Sequence, residues 1–206
     1  MKKCLVSPGS SGAHFIRDVL LIHTAPGGFS EGKKNYGGGH CRFPHQIKSM
    51  NYTHVIYPFA HPVEIIISLH KRGFLSKLDH CANLSGNENE MNKYIRLPKS
   101  KKTLEKWSSM ATRPLLLHEH FIEWSKKDGL GMKIMFVKYE FIHSIANEIS
   151  TFLEDEMLVQ KIKNNFNFRG IRREQLKTDI LYNLENKYKK EIEFYNSFEN
   201  SLIIEK

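Results

Sequence analysis

Three short apolar runs, at residues 2–7, 53–57 and 132–138, are each followed by turn residues and then by apolar positions at helical spacing. This repetition restricts the fold more than any other feature of the chain. The first run ends in Ser7-Pro8-Gly9-Ser10-Ser11-Gly12, after which Phe15, Ile16, Val19 and Leu20 fall on one helical face. The second leads into His61-Pro62-Val63-Glu64-Ile65-Ile66-Ile67-Ser68-Leu69-His70-Lys71-Arg72-Gly73. Its isoleucine triplet has strand character, but Pro at the first turn, an acid two residues on, bases at the end and a closing Gly are helix start and stop signals, which predicts a helix over 62–72. The third run, with Ile134-Met135-Phe136-Val137 apolar on consecutive residues, has the pattern of a parallel strand covered on both faces. Further helices are predicted from Arg113-Pro114 to Lys127, over 142–153 and 157–166, and as one or two helices over 174–198. Residues 23–39, with six glycines, read as a long loop, and the polar residues 76–102 as a surface excursion. The expectation is an α/β fold in three layers, a parallel sheet flanked by helices, in a single domain over 1–206.

Composition narrows the function classes. No apolar run approaches the roughly 20 residues that cross a bilayer, and the apolar stretch after Lys2-Lys3 stops at Ser7-Pro8-Gly9, too early for a signal peptide. Cys4, Cys41 and Cys81 are too few and scattered for a disulfide framework, and their pairing with His40 and His80 lacks zinc-ligand spacing, so the chain reads as cytoplasmic and without a metal site. The net charge of +9 is concentrated in residues 1–100, with 13 basic and 6 acidic side chains, against 18 and 16 in the remainder. A field of that sign concentrates phosphates, sulfates or nucleic acid. Aromatics that lie on strands and apolar helix faces, rather than among the bases, argue against nucleic acid as the partner.

In a parallel sheet, ligands lie beyond the carboxyl ends of the strands. The first turn, Pro8-Gly9-Ser10-Ser11-Gly12-Ala13-His14, has the makings of a phosphate cradle: glycines that permit close backbone approach, converging N–H groups at a helix start, and two hydroxyls. The competing reading is a tight turn with a serine N-cap. No Walker lysine follows, which disfavours a nucleotide kinase or NTPase.

Four segments in order resemble the sulfotransferase family. Ser11-Gly12-Ala13-His14-Phe15 is similar to the S-G-T-T-W of its phosphosulfate loop. Pro62, Glu64 and Ser68 keep the register of its R-[ND]-P-x-[DE]-x-x-x-S element. Glu119-His120-Phe121-Ile122-Glu123-Trp124 resembles its E-H-x-x-x-W helix, and Lys138-Tyr139-Glu140 with Phe152-Leu153 resembles its Y-E-[DE]-L strand end and F-L helix end. The resemblance spans residues 4–153 and implies a P-loop-like, sulfotransferase-like fold. It also implies transfer of a sulfuryl group from 3′-phosphoadenosine 5′-phosphosulfate (PAPS) to a hydroxyl or amine of a glycan, lipid or small alcohol, with no metal.

By the same resemblance, the loop from Pro8 to His14 holds the 5′-phosphosulfate, Ser68 holds the 3′-phosphate, and the Arg169-Gly170 segment, with Arg172 and Arg173, assists Ser68. By position, His14 at the start of the first helix can meet the sulfuryl oxygens, and Arg72, one turn beyond Ser68, can add a base there. His40 stands where the family keeps its catalytic base, with Arg42 and His45 as alternates. Two positions depart from the family. Ser10 replaces a Lys or Arg in the first loop, and Ala60 replaces the Arg two residues before Pro62. These losses keep open a second reading, a sulfotransferase-fold nucleotide- or anion-binding protein without catalysis.

Overall fold

The computed structural model describes residues 2–8, 13–20, 23–24, 44–73, 101–109, 115, 117–127, 129–166, 168 and 170–206. Its centre is a five-stranded sheet of β1 (Lys3–Leu5), β2 (His23–Thr24), β3 (His54–Phe59), β4 (Lys133–Lys138) and β5 (Ser201–Glu205), in the order β2-β1-β3-β4-β5. β1 pairs in parallel with β2 and β3, and β3 pairs in parallel with β4. The three apolar runs are thus the three central strands. Two departures from the sequence expectation concern the edges. His23–Thr24 lies in the stretch read as loop yet pairs with Cys4 and Leu5, and Ser201–Glu205 adds an antiparallel strand to β4, so the sheet is mixed. Both are edge strands, whose one-sided pairing demands little of the local sequence.

Alternation along the strands assigns the faces. Cys4, Val6, Val55, Tyr57, Phe59, Ile134 and Phe136 enter one buried cluster, while Leu5, Ile56, Met135 and Val137 enter the other. The first face is covered by α2 (Pro62–Lys71), α3 (Lys101–Ser109), α4 (Leu117–Ser125), α7 (Thr178–Lys187) and α8 (Lys189–Asn196). The second is covered by α1 (Ala13–Leu20), α5 (Ala146–Phe152) and α6 (Met157–Asn165). The result is three layers with helices on both sides, as expected.

The isoleucine triplet has a packing explanation. In α2, Val63, Ile65, Ile66, Ile67 and Leu69 are all buried, because α3, α7 and α8 surround the helix. A helix apolar all round is a buried helix. Its capping residues settled the choice of helix over strand. The helix Lys101–Ser109 begins in the last two residues of the 76–102 stretch and runs on through residues for which the sequence predicts no element; it buries Leu104 and Trp107, whose indole N–H donates to Tyr188 Oη at 3.3 Å. The described part of the predicted 113–127 helix spans Leu117–Ser125, and the one predicted from 142 starts at Ala146 after a 3-10 turn at Tyr139–Phe141.

The E-H-x-x-x-W segment is core. His120 and Trp124, one turn apart on α4, are both 0% exposed, and both rings pack on Tyr57 of β3, at centroid distances of 5.6 and 6.1 Å. The Tyr57 hydroxyl and His120 Nδ1 share a hydrogen bond of 2.5 Å. Burial pushes the Tyr57 pKa well above its ordinary value, so the phenol keeps its proton.

Candidate functional site

The strand order locates the crevice. From β1 the chain passes through α1 to β2 on one side, whereas from β3 it passes through α2 toward β4 on the other. β1 and β3 are neighbours, and α1 and α2 lie on opposite faces of the sheet. The carboxyl ends of β1 and β3 therefore flank a topological switch point, the usual ligand position in open α/β sheets. Leu5 is level with Ile56, and the ladder continues with Val6 N–H donating to Ile56 O at 3.0 Å. Ser7 and Pro8, both buried, thus end alongside the turn that carries Ala60 and His61.

The second turn is built around His61. Its Nδ1 accepts from the Val63 N–H at 3.3 Å, which makes it the N-cap of α2, followed by Pro62 in the first helical turn. This is the place where the resembling motif has Asn or Asp, and here the imidazole nitrogen is the capping acceptor. Burial first, and then the charges of Arg173 and Lys138, lower the His61 pKa to about 4. The ring is neutral at pH 7 with Nδ1 as acceptor, and it packs edge-on against Tyr195 at 5.3 Å.

Glu64, in the first turn of α2, binds a distant segment. Its Oε1 accepts from the backbone N–H groups of both Arg172 and Arg173, each at 2.7 Å, and the Arg173 guanidinium approaches the same oxygen at 3.9 Å. The chain reaches this position through Gly170, whose φ of +81° is a left-handed conformation that a side chain would strain. Phe168 and Ile171, each 39% exposed, flank the turn, and Tyr139 packs on Phe166 and Phe168.

At the end of β4, Lys138 is in register with Phe59, the last residue of β3. Its residue is only 7% exposed, and its ammonium lies over the rings of Tyr195 and Phe198, at 4.4 and 5.4 Å. Burial lowers its pKa against the opposing pull of Glu140 and Glu199. Burial also raises the Glu140 pKa.

The sequence-predicted site residues fall into three groups. Pro8, Ala13 and His14 stand at the switch point, His14 in the first turn of α1. Ser68 lies one turn beyond Glu64 on the same face of α2 and is 6% exposed, and Gly170 belongs to the segment that Glu64 holds. Arg72 is exposed at the opposite end of α2, where its N–H closes the helix on Ser68 O and His70 O. It is about 15 Å from the N-terminal turn along a ten-residue helix. Gly9, Ser10, Ser11, Gly12, His40 and Arg169 lie outside the described residues. Sequence reasoning missed Lys138 and His61 as site residues. Lys138 had a signal in hindsight, a base at the end of an apolar strand, but its pairing with β3 is long-range.

Among the described residues, no three His, Cys, Asp or Glu side chains gather to hold a metal, and no helix is long and apolar enough to cross a membrane. No family model, curated protein or solved structure matches the chain.

Proposed function

We propose that the chain is a PAPS-dependent sulfotransferase. The observation that carries this reading is the placement of the carboxyl ends of β1 and β3 at one switch point, with Ser7 and Pro8 following the first strand and Ala60 to Ser68 following the second. A second contact supports it. The Glu64 carboxylate docks the Gly170–Arg173 segment on the same helix that bears Ser68. The resemblance gives the helix and the basic segment one phosphate to hold, and Arg172 and Arg173 are adjacent to that helix.

On this reading the first turn binds the 5′ end of the nucleotide through its backbone N–H groups and the His14 side chain. Ser68 and the segment with Arg169, Gly170, Arg172 and Arg173 bind the 3′-phosphate, and Phe168 and Ile171 offer apolar surface to the base. Bound PAPS would supply the activated sulfuryl group. The protein's contribution to such a transfer is positioned donors and positive charge, with a base for the acceptor. His40 takes the acceptor proton, since an imidazole titrates near neutrality without tuning. The acceptor is a hydroxyl or amine on a glycan, lipid or small alcohol.

Two substitutions test the assignment. Ser68→Ala should reduce the preference for 3′-phosphorylated nucleotides over AMP. His40→Ala should leave nucleotide affinity intact and slow sulfuryl transfer by at least about a hundredfold. An unchanged preference in the first variant, or an unchanged rate in the second, contradicts the corresponding role. The absence of a base at Ser10 and Ala60 favours one other reading, a binding protein of the same architecture, in which nucleotide binds and no acceptor is sulfated.

A further inference from the structure

We propose that Lys138 supplies, from the neighbouring strand, the cationic contact that the Ala60 turn lacks, holding a tetrahedral oxyanion of the sulfate or phosphate class at the N-terminal turn of α2. Register is the first argument. Lys138 pairs with Phe59, the residue immediately before Ala60, so its side chain leaves the sheet beside that turn. Strand alternation is the second. Ile134 and Phe136 point into the cluster beneath α2 and α8, and Lys138, two residues further, rises on the same face, where its ammonium meets Tyr195, the ring that also packs on His61.

The third argument is the lysine's own environment. At 7% exposure, a lysine is ordinarily found with a carboxylate. Here Glu140 and Glu199 act on it from a distance. Glu64 is committed to the Arg172 and Arg173 amides. Among the described residues no ion pair to Lys138 forms, and its close neighbours are two aromatic faces. A ring face holds a cation in place while leaving its remaining N–H donors for another acceptor. Neutral His61 and the Arg173 charge border the same place, and an anion seated there would meet the charges of Lys138 and Arg173 together.

The inference deepens the nucleotide reading, and its test separates the two. Wild type and Lys138→Met, whose unbranched side chain keeps the packing on Tyr195, are titrated with 3′-phosphoadenosine 5′-phosphate and with inorganic sulfate while melting temperature and affinity are followed. Without ligand, Lys138→Met should melt close to wild type, because the side chain's packing on Tyr195 is kept and no ion pair is lost. Its affinity for both probes should fall at least tenfold. In wild type, saturation with sulfate should also shift the imidazole ¹⁵N resonances of His61 and raise its pKa, since the anion offsets the charges beside it. Equal affinities in the two proteins, a wild type stabilised by neither probe, or a His61 pKa unmoved by sulfate would each overturn the role of Lys138. If sulfate binds through Lys138 while the 3′-phosphorylated nucleotide shows no advantage over AMP, the inference stands and the PAPS reading falls. If the nucleotide is preferred equally by both proteins, the reverse holds.

Discussion

At pH 7 the His61 ring is an uncharged N-cap that feels the charges of Arg173 and Lys138. An unfolded chain protonates this histidine near pH 6.5, whereas the folded protein resists protonation down to about pH 4. In that interval unfolding takes up a proton, so stability is intact above pH 6.5 and falls as pH drops toward 4, by about 3 kcal/mol at the limit. Urea melts of His61→Asn, which keeps a capping acceptor and removes the titration, should show a flatter pH dependence between 6.5 and 4 than wild type. A parallel dependence would mean that other groups carry it. The Tyr57–His120 bond is a second residue-scale feature. Tyr57→Phe removes the hydroxyl partner of a fully buried imidazole and should cost about 1–3 kcal/mol in the same melts. A neutral result would show that His120 is satisfied without it.

At the scale of elements, the Glu64 tie joins α2 to a segment more than a hundred residues away, through two short bonds to one oxygen. Each such bond to a carboxylate contributes about 1.5–3 kcal/mol. Glu64→Ala should therefore destabilise by about 3–6 kcal/mol, with Glu64→Gln, which keeps an acceptor, between it and wild type. Amide exchange at Arg172 and Arg173 should quicken in the alanine variant before the sheet amides do. Uniform quickening would mean that the tie is only part of global stability. What the sequence revealed of the elements follows from locality. Pro62, Glu64 and Gly73 mark the helix within a single turn at each end, so the Ile65–Ile67 run was assigned correctly, and Met132–Lys138 declared itself by consecutive apolar residues. The helix at 101–109 and the strand at 201–205 depend on distant partners, Tyr188 in one case and β4 in the other, and carry little local signal. The same reason hid Lys138. Its neighbours come from two stretches far from it in sequence, Phe59 from one and Tyr195 and Phe198 from the other, and no spacing rule connects them to Lys138.

For the molecule as a whole, the order β2-β1-β3-β4-β5 gives the sheet one switch point, where Ser7 and Pro8 follow β1 and Ala60 and His61 follow β3. The four segments that resemble sulfotransferases divide by role. The 119–124 segment is core packing on β3, and the 136–153 segment is β4 with the helix that follows it, so half of the resemblance is architectural. The other half concerns the two turns, and the nucleotide reading depends on them. Its most direct test is the affinity of the wild-type chain for 3′-phosphoadenosine 5′-phosphate compared with AMP and ATP, measured by titration calorimetry at one ionic strength. Selective recognition of the 3′-phosphate predicts at least a tenfold preference, about 1.4 kcal/mol, for the 3′-phosphorylated nucleotide. Equal affinities for all three, or no binding of any, would contradict it.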